Sequence, residues 1–319
     1  MTLVGHEEPW RQWRAAMASP RMHHGWILAG RRGIGKASFA AAAALELVGE
    51  GQGGSLAEHP DIIVLTHLPA SDAEEKKRAE GKPFKLKRNI TIDQVRRMQQ
   101  RLTTRPTLGD RRAIIIDPAD DLETNASNAL LKSLEEPPTG TFFLLVSHRP
   151  GRLLPTIRSR CRMLEFPQLS AEQLDAVLAR EAPEADQAAR HAAIAASGGS
   201  PGAALDFVER DLGRMHAIMQ DIARNGDQGF VLRGRLAEAM GARPDLPRQV
   251  AVVELARSVA NARLAGVERA QIPALTRLHD DLARLSGEVT RYNYDPGLLV
   301  MEIGTLLASL AASRDAVHG

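Results

Sequence analysis

The chain is predicted to be α/β in its first half and all-α in its second, and three observations carry that expectation. Between residues 1 and 167, short apolar runs at 26–29, 62–65, 113–117, 142–147 and 162–166 alternate with stretches of helical character. Strands interleaved with helices imply a parallel sheet covered on both faces, because a parallel crossover needs a connection of about helix length. The first run leads through a glycine-rich loop, Gly30-Arg31-Arg32-Gly33-Ile34-Gly35-Lys36-Ala37, into an alanine-rich helical stretch that reaches Leu47. Beyond Pro167 the apolar residues recur at helical intervals only.

Strand, glycine loop, helix is the context in which such a loop becomes a phosphate cradle. Backbone N–H groups of Gly30, Gly33, Gly35 and the helix start would face anionic oxygens, with Lys36 reaching the terminal phosphates. The plainer reading is a helix-capping turn that holds no ligand, since glycines tolerate tight turns and close approach. Position 37 would carry the hydroxyl that ligates magnesium, and it is Ala37. Ser38 stands one residue further on, about 100° around a helix, and is expected to point elsewhere.

A polar-glycine link at 49–55 leads to His59-Pro60-Asp61 and the second apolar run. The stretch 69–89 is polar, with Glu74-Glu75 beside Lys76-Lys77-Arg78 and further cations at Lys82, Lys85, Lys87 and Arg88. It reads as a mobile, solvated surface excursion, with an arm that contacts DNA as the alternative. Thr91 can cap a helix toward Leu102. The run 113–117 ends in Asp117, suited to hold a metal-bound water beside the loop. The next residue, where hydrolysis would need a base, is Pro118, and Asp120 and Asp121 lie out of register for that task.

Residues 125–161 read as a helix stopped at Pro137-Pro138, a buried strand ending at Ser147-His148, and a basic loop ending Ser159-Arg160-Cys161. Arg160 could be an exposed residue that pairs with a nearby carboxylate for little energy. Ser170 caps a new amphipathic helix and marks a boundary. The predicted domains are 1–167, a small helical unit at 168–208, and a helical bundle at 209–319 with helices at 215–224, 249–265, 274–288 and 296–312.

The glycine loop, Ala-Leu-Leu-Lys-Ser-Leu-Glu-Glu-Pro-Pro at 129–138 and the Ser159-Arg160-Cys161 block together resemble the AAA+ clamp-loader subunits of bacterial DNA polymerase III, and within them the δ′ class. The resemblance implies an AAA+ P-loop domain, a helical lid and a C-terminal helical collar that joins five subunits in a ring. It implies that Arg160 acts in trans on a nucleotide held by a γ/τ neighbour, with γ/τ and δ subunits as partners and the sliding clamp and primed DNA reached through the assembly. Gly198-Gly199-Ser200-Pro201-Gly202 resembles the lid motif in which active members carry an arginine, and that place is Gly202. Hydroxyl, base and arginine are thus all missing from positions 37, 118 and 202. The expectation is a subunit with no hydrolysis of its own, requiring no cofactor, with ATP or ADP at the loop left open. A γ/τ-type active ATPase and a purely structural ring scaffold are the alternatives. Ser147 and His148 occupy the place of a polar sensor and are expected to be structural.

Composition sets outer limits. The single cysteine, Cys161, rules out an intrachain disulfide and a cysteine-based zinc module, so no metal is expected. His23 and His24 lack companions at ligand spacing and should be structural. No apolar run approaches membrane-spanning length and no signal-like pattern opens the sequence, which predicts a cytoplasmic protein. A net charge of +2 is weak evidence for nucleic-acid binding by the chain as a whole.

Overall fold

A computed structural model describes residues 4–49, 56, 59–263, 269–291 and 294–318. Most of the 49–55 link lies outside them, as do Leu264, Ala265, Tyr292 and Asn293. The chain divides into two compact units, Met1–Gln168 and Leu169–Gly319.

The first unit runs α1 (Glu7–Met17), β1 (Gly25–Ala29), α2 (Lys36–Leu47), β2 (Ile62–Leu65), α3 (Asp72–Ala79), α4 (Ile92–Leu102), β3 (Arg112–Ile116), α5 (Thr124–Glu135), β4 (Thr141–Ser147), α6 (Pro155–Ser159) and β5 (Arg162–Glu165). The five strands pair in the order β2-β3-β4-β1-β5, all parallel. β1, β3 and β4 are the inner strands and their residues are almost wholly buried, as continuous β-branched and leucyl runs require. The outer strands expose Val64 and Met163.

Helices pack on this sheet through two apolar sets. Val95, Met98 and Leu102 of α4 and Ala126, Leu130 and Leu134 of α5 join Ile27, Ile114, Ile116, Phe143 and Leu145 in one core. An aromatic set binds α1 and α2: Trp13 meets Trp26 and Phe39 edge-on, and Phe39 meets Phe166 at 5.0 Å between centroids. His23 and His24 stack at 4.7 Å, His23 Nδ1 lying 3.0 Å from the Gly25 carbonyl and His24 Nε2 2.9 Å from that of Leu134.

Three departures from the sequence reading concern this unit. The 69–89 stretch, read as a mobile excursion, carries the ordered helix α3, whose start is capped by the Ser71 hydroxyl accepting from the Glu74 N–H. The basic loop before Arg160 is largely the short helix α6, with Pro155 in its first turn. Asp117 lies just beyond β3; its N–H still donates to the Leu65 carbonyl, and Pro118, having no N–H, cannot extend the ladder.

The second unit is helical throughout: α7 (Ala171–Glu181), α8 (Gln187–Ser197), α9 (Pro201–Glu209), α10 (Gly213–Asn225), α11 (Val231–Met240), α12 (Leu246–Ala262), α13 (Ile272–Arg291) and α14 (Pro296–His318). α7 begins in a capping box between Ser170 and Gln173. Ser258 of α12 donates to the Ala196 carbonyl of α8. Gly202 sits in the first turn of α9, behind the Ser200 cap.

Candidate functional site

β1 delivers the chain to the glycine loop at the C-terminal edge of the sheet, where open α/β sheets bind ligands. Gly30 is required by close approach: a Cβ there would stand 2.8 Å from the Phe166 carbonyl oxygen and 3.0 Å from Phe166 Cβ. Gly33 and Gly35 hold φ of +76° and +107°, which turn the loop into the start of α2. Lys36 follows and is 2% exposed. Its ammonium folds back onto its own loop, donating to the carbonyls of Gly30 and Arg31 at 2.7 Å each. Burial lowers its pKa to about 8, against the opposing pull of Asp117 and Asp120.

The facing wall is built after β3 and β4. Burial raises the Asp117 carboxyl above its ordinary range, while the charges of Lys36, His67 and Arg32 act the other way. Pro118 follows through a cis peptide bond. Asp120 is wholly engaged by the end of β4: Ser147 Oγ donates to it at 2.7 Å, the His148 N–H at 2.5 Å and the Arg149 N–H at 3.2 Å. The His148 imidazole is pushed down to about 4, mainly by burial and further by Lys36. Its Nδ1 has no hydrogen-bond partner. His67 Nε2 lies 3.2 Å from an Asp121 carboxylate oxygen.

A cavity of about 430 Å³ separates the two walls, with Gly33, Gly35, Lys36 and Ala37 on one side and His67, Asp117, Pro118 and His148 on the other. Gly30 shapes the loop from behind without lining it. Ser38 also reaches the cavity, contrary to the expectation that it would turn away. The helical rotation separates it from Ala37, but the cavity spans both positions. His67 was missed in the sequence; the signal was its position just past β2 on the ligand-binding edge of the sheet.

The donor set does not fit a magnesium–triphosphate centre. Position 37 offers a methyl group, position 118 offers no base, Asp120 is spent on β4, and Asp117 stands under the charge of Lys36. Among the described residues no three His, Cys, Asp or Glu side chains gather as a metal-ligand group, and no helix is long and apolar enough to cross a membrane.

Ser159, Arg160 and Cys161 do not line this cavity. Arg160 is the first residue past α6. Its guanidinium donates to the Thr156 carbonyl at 3.0 Å and pairs with Glu135, the last residue of α5, at 2.7 Å. Both side chains are partly exposed, 35% for Arg160 and 48% for Glu135. The Ser159 hydroxyl also donates to Thr156 O. Cys161 packs where a Cβ at Gly25 would come within 2.9 Å of its sulfur, and burial pushes its thiol up to about 12. A thiol so placed is a packing group, not a nucleophile.

Sheet order, glycine loop and buried loop lysine together define a P-loop domain of the AAA+ type. The sequence profile of the family described as DNA polymerase III, delta subunit matches residues 5–170, and the chain belongs to that family. It is 35% identical over 208 residues to the DNA polymerase III subunit delta′ of Pseudomonas aeruginosa, covering 60% of this chain. Against the delta′ subunit of Escherichia coli K12 it is 40% identical over 129 residues, 40% of this chain. The chain spans only 58% and 38% of the length of these two relatives. The crystal structure of a DNA polymerase III, gamma subunit-related protein from Thermotoga maritima matches 96% of this chain and all of its own, with a TM-score of 0.50 at 16% identity, a likeness of fold.

Proposed function

We propose that this chain is a δ′-type, non-hydrolysing subunit of a bacterial clamp loader, and that Arg160 serves as an arginine finger on ATP bound by a γ/τ neighbour. The lid at 168–208 and the collar at 209–319 are parts of the same proposal, as are δ, the sliding clamp and primed DNA as further partners in the cytoplasm. The observation that carries it is the contrast between two ends of one domain. The loop cavity combines Ala37, Pro118 and a lysine turned onto its own carbonyls. Arg160 stands outside that cavity at the end of the short helix α6, with its side chain partly exposed.

The geometry fits action in trans. An exposed ion pair such as Arg160–Glu135 is worth about 0–1 kcal/mol, so a phosphate that offers better geometry can take the guanidinium at little loss. A finger of this kind contributes on the order of 10³-fold or more to phosphoryl transfer. The same ion pair favours a second reading, in which Arg160 only braces α5 against α6 and the subunit is a scaffold.

The test is ATPase of the reconstituted loader, stimulated by clamp and primed DNA, with the wild-type chain and with Arg160→Ala. The finger reading expects an intact ring in which single-turnover hydrolysis at the adjoining site falls by about 10³-fold or more. An intact mutant ring with wild-type hydrolysis would leave the scaffold. Turnover by the isolated chain would instead indicate an active γ/τ-type ATPase.

A further inference from the structure

Arg160 is held by its own chain. One terminal amine donates to the Thr156 carbonyl at 3.0 Å, and the other meets a Glu135 carboxylate oxygen at 2.7 Å. Of the arginines at 149, 152, 158, 160 and 162, Arg160 alone has a carboxylate partner among the described residues. The acid is equally selected: the adjacent Glu136 is exposed and forms no ion pair among the described residues. Both backbones are fixed beneath the pair. Leu134 is buried and its carbonyl lies 2.9 Å from His24 Nε2, which ties the end of α5 to the start of β1. Ile157 of α6 is fully buried, and Cys161 packs against Gly25 of β1.

The stability of α5 does not call for this acid. Glu135 closes the helix at its negative end, where a cation is favoured and a carboxylate is disfavoured. The guanidinium explains its place. A carboxylate on that guanidinium neutralises the charge that a phosphate would seek. Left beside a transferring phosphoryl group, the same carboxylate would repel the negative charge there. The two acceptors therefore exclude each other, and the guanidinium has to pass from Glu135 to the phosphate.

We propose that Glu135 is a positioning residue that restrains Arg160. It competes with the neighbour's phosphate for the guanidinium and keeps the side chain folded on α6 until the phosphate displaces it. The proposal rests on the reading of Arg160 as a finger. The experiment is single-turnover ATP hydrolysis by the reconstituted loader with clamp and primed DNA. The ring carries this chain as wild type, Glu135→Gln, Glu136→Gln, Arg160→Ala, or Glu135→Gln with Arg160→Ala. Glutamine keeps the size of the side chain and removes its charge. Glu135→Gln is expected to raise hydrolysis at the adjoining site by about two- to fivefold, the population shift that an exposed ion pair can hold back. Glu136→Gln should leave hydrolysis at the wild-type rate. The gain should vanish when residue 160 is alanine, which a merely structural role for Glu135 would not produce. Unchanged or slower hydrolysis with Glu135→Gln, beside a large loss with Arg160→Ala, would overturn the restraint and leave the finger standing. So would a gain that persists without Arg160 or is matched by Glu136→Gln. A Glu135→Gln ring that fails to assemble would make the pair a brace and overturn the proposal as well. Wild-type hydrolysis with Arg160→Ala would remove the finger itself, and the restraint with it.

Discussion

Lys36 keeps a charge where water scarcely reaches it, and two loop carbonyls are its solvent. Its pKa is about 8 in the folded chain against an ordinary 10.5. Between those values the unfolded chain binds more protons at this position, so stability rises with pH across that window. The expected outcome is that wild type gains on Lys36→Met by a few kcal/mol between pH 7 and pH 10 in denaturant titrations, at about 1.4 kcal/mol per pKa unit. A difference that stays flat, or moves the other way, would mean that the ammonium is solvated. The glycine spacing announces the cradle, but not that the lysine turns inward. That depends on the carbonyls of residues 30 and 31, which local pattern does not orient. Arg160 is similar: its motif was evident, whereas Glu135, twenty-five positions earlier, became its partner only when α5 and α6 were brought together.

Among the elements, the turn into β2 shows how one side chain can tie separate segments. Asp61 is fully buried and accepts the N–H groups of Thr107 at 2.7 Å and Leu108 at 2.8 Å. Arg112 of β3 lies 3.6 Å away and itself donates to the carbonyls of Arg101, Thr104 and Arg105. Burial alone would raise the Asp61 carboxyl, but the two N–H groups and the guanidinium hold it below its usual range. Its stabilisation is therefore complete above the ordinary carboxylate pKa and is lost as pH falls through the depressed value. Asp61→Ala should destabilise the first unit by about 3–5 kcal/mol at pH 7, because Arg112 is left buried without its counter-charge. The deficit should narrow on acidification toward pH 3; equal deficits at both pH values would remove the carboxylate from the account. The sequence signalled the strands and the caps at Thr91 and Ser170 because those depend on neighbours within four residues. It did not signal α3, since a helix with no apolar face has no period to read.

At the scale of the molecule, two compact units meet in sequence at Gln168 and Leu169. The second carries its own buried ion pair: Arg233 and Asp227 lie 3.5 Å apart and are 8% and 3% exposed. Gly304 makes room for it, since a Cβ there would stand 2.6 Å from Arg233 Cγ. Arg233→Ala leaves Asp227 buried with no counter-charge among the described residues, held by the backbone N–H groups of residues 232 and 233, and should cost about 3–5 kcal/mol. If the units unfold separately, calorimetry should show one transition shifted down and the other, belonging to the P-loop unit, unmoved. Displacement of both would mean that the units melt as one. The amino-acid sequence by itself determined the alternation of strands and helices, the glycine loop with its missing hydroxyl and base, the Ser-Arg-Cys block and the change to helix after Pro167. All of these are properties of short windows. Only the tertiary structure decided that Lys36 bonds its own loop, that Asp120 ties down β4 and that Glu135 holds Arg160. Such contacts join residues brought together by the sheet order β2-β3-β4-β1-β5 and the packing of helices on it, and no local period encodes which side chains those long-range pairings make neighbours.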